Sequence, residues 1–210
     1  METIVYLTEI TALISLWYFH RKRGSARTSI LLTALGIVLL TDTLLFFDWF
    51  PSAEYVVINL GNGFQMILYM FFFLSLMRHG TFIRTMIIYL IGFTIYWMVD
   101  SLFFHSIVNE IQYQIYVFGA AGVLIFILAY VHQDLLKSHR AIPVFHRYLL
   151  WISGALFFYL AIEIPIFTMI NYMMENDVTE MVFPIFQLQS LVAMVYYLTY
   201  STALLWAKTV

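Results

Sequence analysis

Long apolar runs separated by short polar segments recur along the whole chain. Most are long enough for a helix to cross the hydrocarbon core of a bilayer, which takes roughly 20 residues. None alternates apolar and polar positions as a barrel strand does, and lipid cannot hydrogen-bond an exposed backbone, so helices are required. The predicted spans are Ile4–Phe19, Ser29–Phe50, Tyr55–Met77, Phe82–Phe104, Ile115–Val131, Tyr148–Tyr172 and Phe183–Ala207.

The composition leaves little of the chain outside these spans. Of 210 residues, 63% are hydrophobic and only 10% are charged, whereas a soluble domain carries roughly 25% charged residues. Seven spans of this length would take about 140 residues, which leaves no room for a soluble catalytic or ligand-binding domain. We therefore predict an all-α membrane protein with one domain, residues 1–210, folded as a seven-transmembrane-helix bundle.

The basic residues predict the orientation of this bundle. All ten fall in or next to alternate gaps of the layout, or at its end: Arg21, Lys22, Arg23, Arg27, Arg78, Arg84, Lys137, Arg140, Arg147 and Lys208. Cytoplasmic loops hold Lys and Arg, so the pattern predicts an N-terminus outside and a cytoplasmic C-terminus. We expect a bacterial cytoplasmic (inner) membrane protein. Topology explains these few, scattered charges, so no nucleic-acid partner is expected.

Two spans contain residues that affect helix packing. Pro165 lies inside the sixth span and predicts a kink, because proline removes a backbone hydrogen bond. The fifth span contains Gly119-Ala120-Ala121-Gly122, a group of small residues that favours close contact between helices.

Polar residues within the spans are the candidates for function, because charge at membrane depth costs at least about 2.5 kcal/mol and usually faces the bundle interior. Given the predicted topology, they lie in the outer half of the membrane. Asn59, Asn62 and Gln65 share one helical stripe, and Tyr159 lies one turn from Glu163. In the seventh span Gln187 forms a stripe with Ser190, Tyr197 and Ser201. The candidate ligand-binding residues are Glu163, Asp42, Asn59, Asn62, Gln65, Gln187, Tyr159 and Glu9.

Two interpretations of this polar set stay open. The first is an externally open cavity for a small polar or cationic ligand, lined by acids, amides and tyrosines. The second is an internal hydrogen-bond network that locks the helices together, with its acids protonated by desolvation. Asp48 and Asp100 are weaker candidates, because each can reach the outer headgroups.

The sequence favours a protein that is not an enzyme and carries no cofactor. It has no catalytic signature: no glycine-rich phosphate loop, Gly-x-Ser-x-Gly elbow or His-Glu-x-x-His run. Cysteine is absent, and the histidines, including the heptad-spaced His132, His139 and His146, lack paired metal-ligand spacing. No histidine lies where it could ligate an intramembrane haem, and the last span has no Schiff-base lysine for retinal.

The layout resembles the seven-transmembrane-helix sensor modules of bacteria that are often fused to histidine kinases. The resemblance rests on the short N-terminal segment, the basic run His20-Arg21-Lys22-Arg23 and the amide-bearing stretch from Asn59 to Gln65. It implies a receptor-like membrane protein. Because no kinase or other output domain follows the last span, we expect signalling through a separate membrane or cytoplasmic partner.

Three functions fit these observations. The leading hypothesis is a stand-alone receptor or sensor with an outward-facing polar cavity. A small-molecule or ion transporter or channel is the first alternative, although it needs polar groups along a continuous path and the inner halves of the spans lack them. The second alternative is a structural subunit of a membrane complex, in which the polar network has no ligand.

Overall fold

A computed structural model describes residues 2–23, 26–77, 80–104, 107–108, 110–135, 144–175 and 182–208. These residues form seven α-helices and contain no strand, which confirms the all-helical prediction. The helices are α1 (Glu2–Arg23), α2 (Ala26–Phe46), α3 (Glu54–Leu76), α4 (Gly80–Val99), α5 (Tyr113–Leu135), α6 (Val144–Glu175) and α7 (Val182–Lys208).

Five helical segments among the described residues are long and apolar enough to cross a membrane. They are Ala26–Phe46, Glu54–Leu76, Phe82–Phe104, Tyr113–Gln133 and Tyr148–Ile170. α1 and α7 are not among them. α1 carries two acidic residues and a basic end, which lower its mean hydropathy. Five of the seven predicted spans thus correspond to helices that are long and apolar enough to cross a membrane.

The helices group into two compact units. The first unit contains α1, α6 and α7, and the second contains α2 to α5. In the first unit α7 packs against both α1 and α6, and in the second α3 packs against α2 and α4.

Glycines allow the helices of the second unit to approach closely. A Cβ added to Gly119 would lie 2.7 Å from Met66 Cγ, and one added to Gly122 would overlap the Tyr89 ring. On α3, a Cβ at Gly63 would overlap the Trp97 ring. The close contact predicted for the small residues of the fifth span is therefore confirmed, because both of its glycines face neighbouring side chains.

Helix ends differ from the predicted spans where local chemistry intervenes. α2 ends at Phe46 rather than Phe50; Asp48 adopts a φ of 48°, and a 3₁₀ turn follows over Pro51–Ala53. A residue before proline disfavours helix, and Asp tolerates the left-handed region, so this end is explained. After α4 the chain forms a π-helical turn over Asp100–Phe104.

α6 is longer than its predicted span and runs as one helix through Pro165. Of the basic residues that predict orientation, Arg78, Lys137 and Arg140 lie outside the described residues, as do the predicted loop histidine His139 and Pro143. The outside position of the N-terminus stays a prediction.

Candidate functional site

The first unit contains a buried carboxyl group held by an amide from another helix. Glu163 of α6 is fully buried, and Gln189 Nε2 of α7 donates a hydrogen bond to Glu163 Oε2 over 3.1 Å. Glu163 lies within the span Tyr148–Ile170 and two residues before Pro165. We call these two residues the carboxyl–amide pair. Because both partners are side chains on different helices, the pair links α6 to α7 without using backbone groups.

A groove of about 830 Å³ runs between the same two helices. Its walls are mainly aliphatic and aromatic, and they follow α6 from Tyr148 to Ile162 and α7 from Leu191 to Ala203. Within it Tyr159 stacks on Tyr196, with ring centroids 4.7 Å apart and planes 18° apart. We call it the α6–α7 groove.

Helical spacing places the carboxyl–amide pair at one end of the α6–α7 groove. Glu163 is one turn beyond Tyr159 on α6, and Gln189 is about one turn before Val192 on α7; both reference residues line the groove. Neither Glu163 nor Gln189 lines the groove itself, so the pair lies beside its end rather than on its walls.

Other polar contacts in the first unit involve α1 and α7. The Ser15 and Ser201 hydroxyls lie 2.9 Å apart and join these two helices. Glu9 of α1 is buried, with 2% of its surface exposed. On α7 the Tyr196 and Tyr200 hydroxyls share a 2.7 Å hydrogen bond. Polar groups thus occur on all three helices of this unit.

In the second unit, the buried side-chain amide of Asn59 bonds to backbone atoms rather than to another side chain. Asn59 Nδ2 donates to the carbonyl oxygens of Ile107 and Glu110 over 3.1 and 2.8 Å, and Asn59 Oδ1 accepts from the Gln112 backbone N–H over 2.9 Å. We call this arrangement the Asn59 clamp. All three bonds go to the backbone of the segment that precedes α5, so α3 holds that segment in place.

The Asn59 clamp has polar neighbours in sequence and space. The Ser101 hydroxyl lies 3.1 Å from both Oε1 and Nε2 of the buried Gln112 side chain. Asp100, beside Ser101 in the π-helical turn, is also buried. Further along α3 from Asn59, the buried side chain of Gln65 donates a hydrogen bond to the Tyr69 hydroxyl over 3.3 Å. Internal partners therefore occupy the amides of Asn59, Gln65 and Gln112.

The structure distributes the predicted candidates over both units. Glu163, Tyr159, Glu9 and Gln187 belong to the first, and Asp42, Asn59, Asn62 and Gln65 belong to the second. Asp42 and Asn62 are half-buried, as is Tyr159. Within the first unit, Tyr159 and Glu163 lie along one face of α6, as their spacing predicts.

The contact with Glu163 is made by Gln189 and not by the candidate residue Gln187. Gln187 is exposed, whereas Gln189, which was not a candidate, bonds Glu163. The signal that identifies Gln189 is its helical face: it lies at about the same angle as Ala193, Tyr196 and Tyr200, all of which are buried. Gln112 was also missed, because it lies in a segment between predicted spans.

Among the described residues, no group of three or more His, Asp or Glu side chains is placed to hold a metal ion. The carboxyl–amide pair offers one carboxyl group and one amide, which suit a cation or a hydrogen-bond donor rather than a metal.

No protein-family model, curated protein or solved structure matches this chain. The described residues form an all-helical protein with five helices that are long and apolar enough to cross a bilayer. Its distinguishing feature is a buried carboxyl–amide pair beside the end of a groove between two helices.

Proposed function

We propose that this chain is a stand-alone, receptor-like membrane protein of the bacterial inner membrane. α1 and α7 complete seven spans, with the N-terminus outside and the C-terminus in the cytoplasm. The one-sided distribution of Lys and Arg supports this topology. The ligand is small and polar or cationic, it binds from outside, and a separate membrane or cytoplasmic partner receives the signal.

The observation that carries the proposal is the buried carboxyl group of Glu163 in a membrane-spanning helix. An acid at this depth costs at least about 2.5 kcal/mol, and such residues usually mark function. Its contact with Gln189 is made by a neutral side-chain amide. A cationic ligand offers a carboxylate a stronger, charge-assisted hydrogen bond than an amide does.

The same contact supplies a route from binding to a change of shape. Because the carboxyl–amide pair joins α6 to α7, a ligand that replaces the amide changes what holds these helices together. Pro165 lacks a backbone N–H two residues further on, so α6 has a weak point beside the site. Binding would therefore favour one of two packings of α6 against α7, and an inner-face partner would read the difference.

Thermal unfolding of the purified protein with a panel of small organic cations tests this function. We expect at least one cation to raise the melting temperature of the natural protein and to have no effect on Glu163→Gln, which keeps the shape but not the charge. Asp48→Asn is the matched control, because Asp48 lies exposed in the turn after α2. A cation that stabilises Glu163→Gln as strongly as the natural protein would remove Glu163 from the site.

A structural subunit of a membrane complex is the second candidate, and the Asn59 clamp favours it. There a buried polar residue serves only to hold the protein's own backbone. Stable co-purification of one membrane partner, together with no cation effect on melting, would support this function over the receptor.

A further inference from the structure

The α6–α7 groove contains a polar group that the proposed receptor function does not use. Tyr148 lines the groove, is fully buried, and stacks on Phe19 of α1 with ring centroids 4.0 Å apart. Its hydroxyl has no hydrogen-bond partner among the described residues. A buried hydroxyl without a partner costs free energy, so its position calls for a ligand atom that accepts a hydrogen bond.

The walls of the α6–α7 groove open to the surroundings of the protein. The side chain of Phe158 on α6 is 68% exposed, and that of Val195 on α7 is 58% exposed. Since α6 is suited to cross a membrane over Tyr148–Ile170, the medium beside these side chains is the bilayer. The molecules that can enter the groove from the side are therefore lipids.

The dimensions of the groove fit one lipid chain in one leaflet. Tyr148 is the first residue of the membrane-spanning segment, and the groove continues to Ile162. That distance is about 21 Å at a rise of ~1.5 Å per residue, somewhat more than the ~15 Å of hydrocarbon in one leaflet. Tyr148 thus lies at the depth of the lipid's ester groups, and the groove extends towards the opposite leaflet.

We propose that the α6–α7 groove binds one phospholipid of the bilayer. The Tyr148 hydroxyl donates a hydrogen bond to an ester or phosphate oxygen, and one acyl chain lies along the groove past Gly154 to Ile162. This site is independent of the proposed receptor function, because it uses neither the charge of Glu163 nor an external ligand. The bound chain ends near the carboxyl–amide pair, so the lipid also supports the packing of α6 against α7.

Gly154 provides a way to block the site. It lines the groove, and a Cβ added to it meets no atom within 4 Å. A leucine there extends into the space that the acyl chain would fill. Gly92 of α4 is the matched control, because a Cβ there also meets nothing within 4 Å and Gly92 belongs to the other unit.

Photo-crosslinking tests the proposal on the full chain in detergent micelles. The probe is a phosphatidylcholine that carries a diazirine on one acyl chain, and its mole fraction in the micelles is varied. After irradiation, mass spectrometry of the peptides locates the crosslinks. For the natural protein we expect saturable crosslinking to peptides that contain Phe158 and Val195. Gly154→Leu should abolish the saturable component, whereas Gly92→Leu should retain it.

Tyr148→Phe tests the contact with the polar part of the lipid. Loss of this hydrogen bond should raise the mole fraction at half-saturation by roughly 2- to 13-fold. This variant also serves if Gly154→Leu fails to fold, because it removes only one atom. Crosslinking that is non-saturable and spread evenly over all lipid-facing helices would overturn the proposal. An unchanged half-saturation point in Tyr148→Phe would overturn the role of the hydroxyl.

Discussion

The buried polar side chains of the two units make different kinds of contact. In the second unit, Asn59 makes all of its described hydrogen bonds with backbone atoms of one short segment. In the first unit, Glu163 contacts the side chain of Gln189 on another helix, beside a groove and close to a proline. The Asn59 clamp shapes a segment, whereas the carboxyl–amide pair joins two helices.

This difference separates a structural polar residue from a candidate functional one. Removing a side chain that bonds to the backbone leaves N–H and C=O groups without partners, which costs free energy. A ligand therefore cannot replace such a contact without destabilising the fold. A contact between two side chains can be replaced by a ligand that offers the same donor. Both side chains are buried, and the chemistry of the partner distinguishes them.

Asn59→Ala should produce the largest effect on stability. It removes three hydrogen bonds that hold the segment before α5, and we expect a loss of about 3 kcal/mol in the free energy of unfolding. Unfolding in mixed detergent micelles measures it. Asn62→Ala is the control on the same helix, since the structure gives Asn62 no hydrogen bond among the described residues; it should change stability by less than ~0.5 kcal/mol. Equal effects would contradict the clamp.

Substitution of glycines should distinguish the packing of the two units. Gly63→Ala places a Cβ against the Trp97 ring and should cost about 1–3 kcal/mol. Gly154→Ala in α6 meets nothing within 4 Å and should be neutral or stabilise the helix by up to ~1 kcal/mol. Melting temperatures of the two variants in one detergent provide the measurement. A destabilising Gly154→Ala would mean that the α6–α7 groove is narrower than described.

The two glutamines of α7 provide the finest comparison. Gln189→Leu removes the amide that bonds Glu163 and should cost about 1–2 kcal/mol. Gln187→Leu replaces an exposed residue on the same helix and should stay within ~0.5 kcal/mol of the natural protein. A double-mutant cycle with Glu163→Ala isolates the contact, and a coupling of zero would show that the carboxyl–amide pair does not form.

Long apolar runs are sufficient to predict the helices. All seven predicted segments fall on described helices, because a run of apolar residues without a break leaves the backbone no other way to satisfy its hydrogen bonds in lipid. The ends were harder to predict. The end of α2 at Phe46 depends on the turn before Pro51, and the π-helical turn after Val99 has no signal in the apolar pattern.

The candidate site was predictable only in part. Glu163 was found because its charge is costly at membrane depth. Its partner was not, because the rotation of α7 was inferred from the stripe that includes Gln187, Ser190 and Ser201. Gln187 and Gln189 point about 160° apart at ~100° per residue, so only one of them can face α6. The stripe does not reveal which one, because its member Ser201 contacts α1 rather than α6.

Under the proposed function, a ligand reaches the buried Glu163 from outside the membrane. Because the natural chain has no cysteine, single cysteines can be introduced at Glu163 and, as controls, at Ser153 and Leu74. Under the proposed topology Ser153 and Leu74 lie in the inner half of the membrane, so labelling of either would report a water path through the bundle. A membrane-impermeant thiol reagent is applied from each side of oriented vesicles. The account predicts labelling of Glu163→Cys from the outer side alone, with both controls unlabelled. A folded Glu163→Cys protein that is not labelled from the outer side would contradict the receptor function. The polar residues would then form an internal hydrogen-bond network without a ligand.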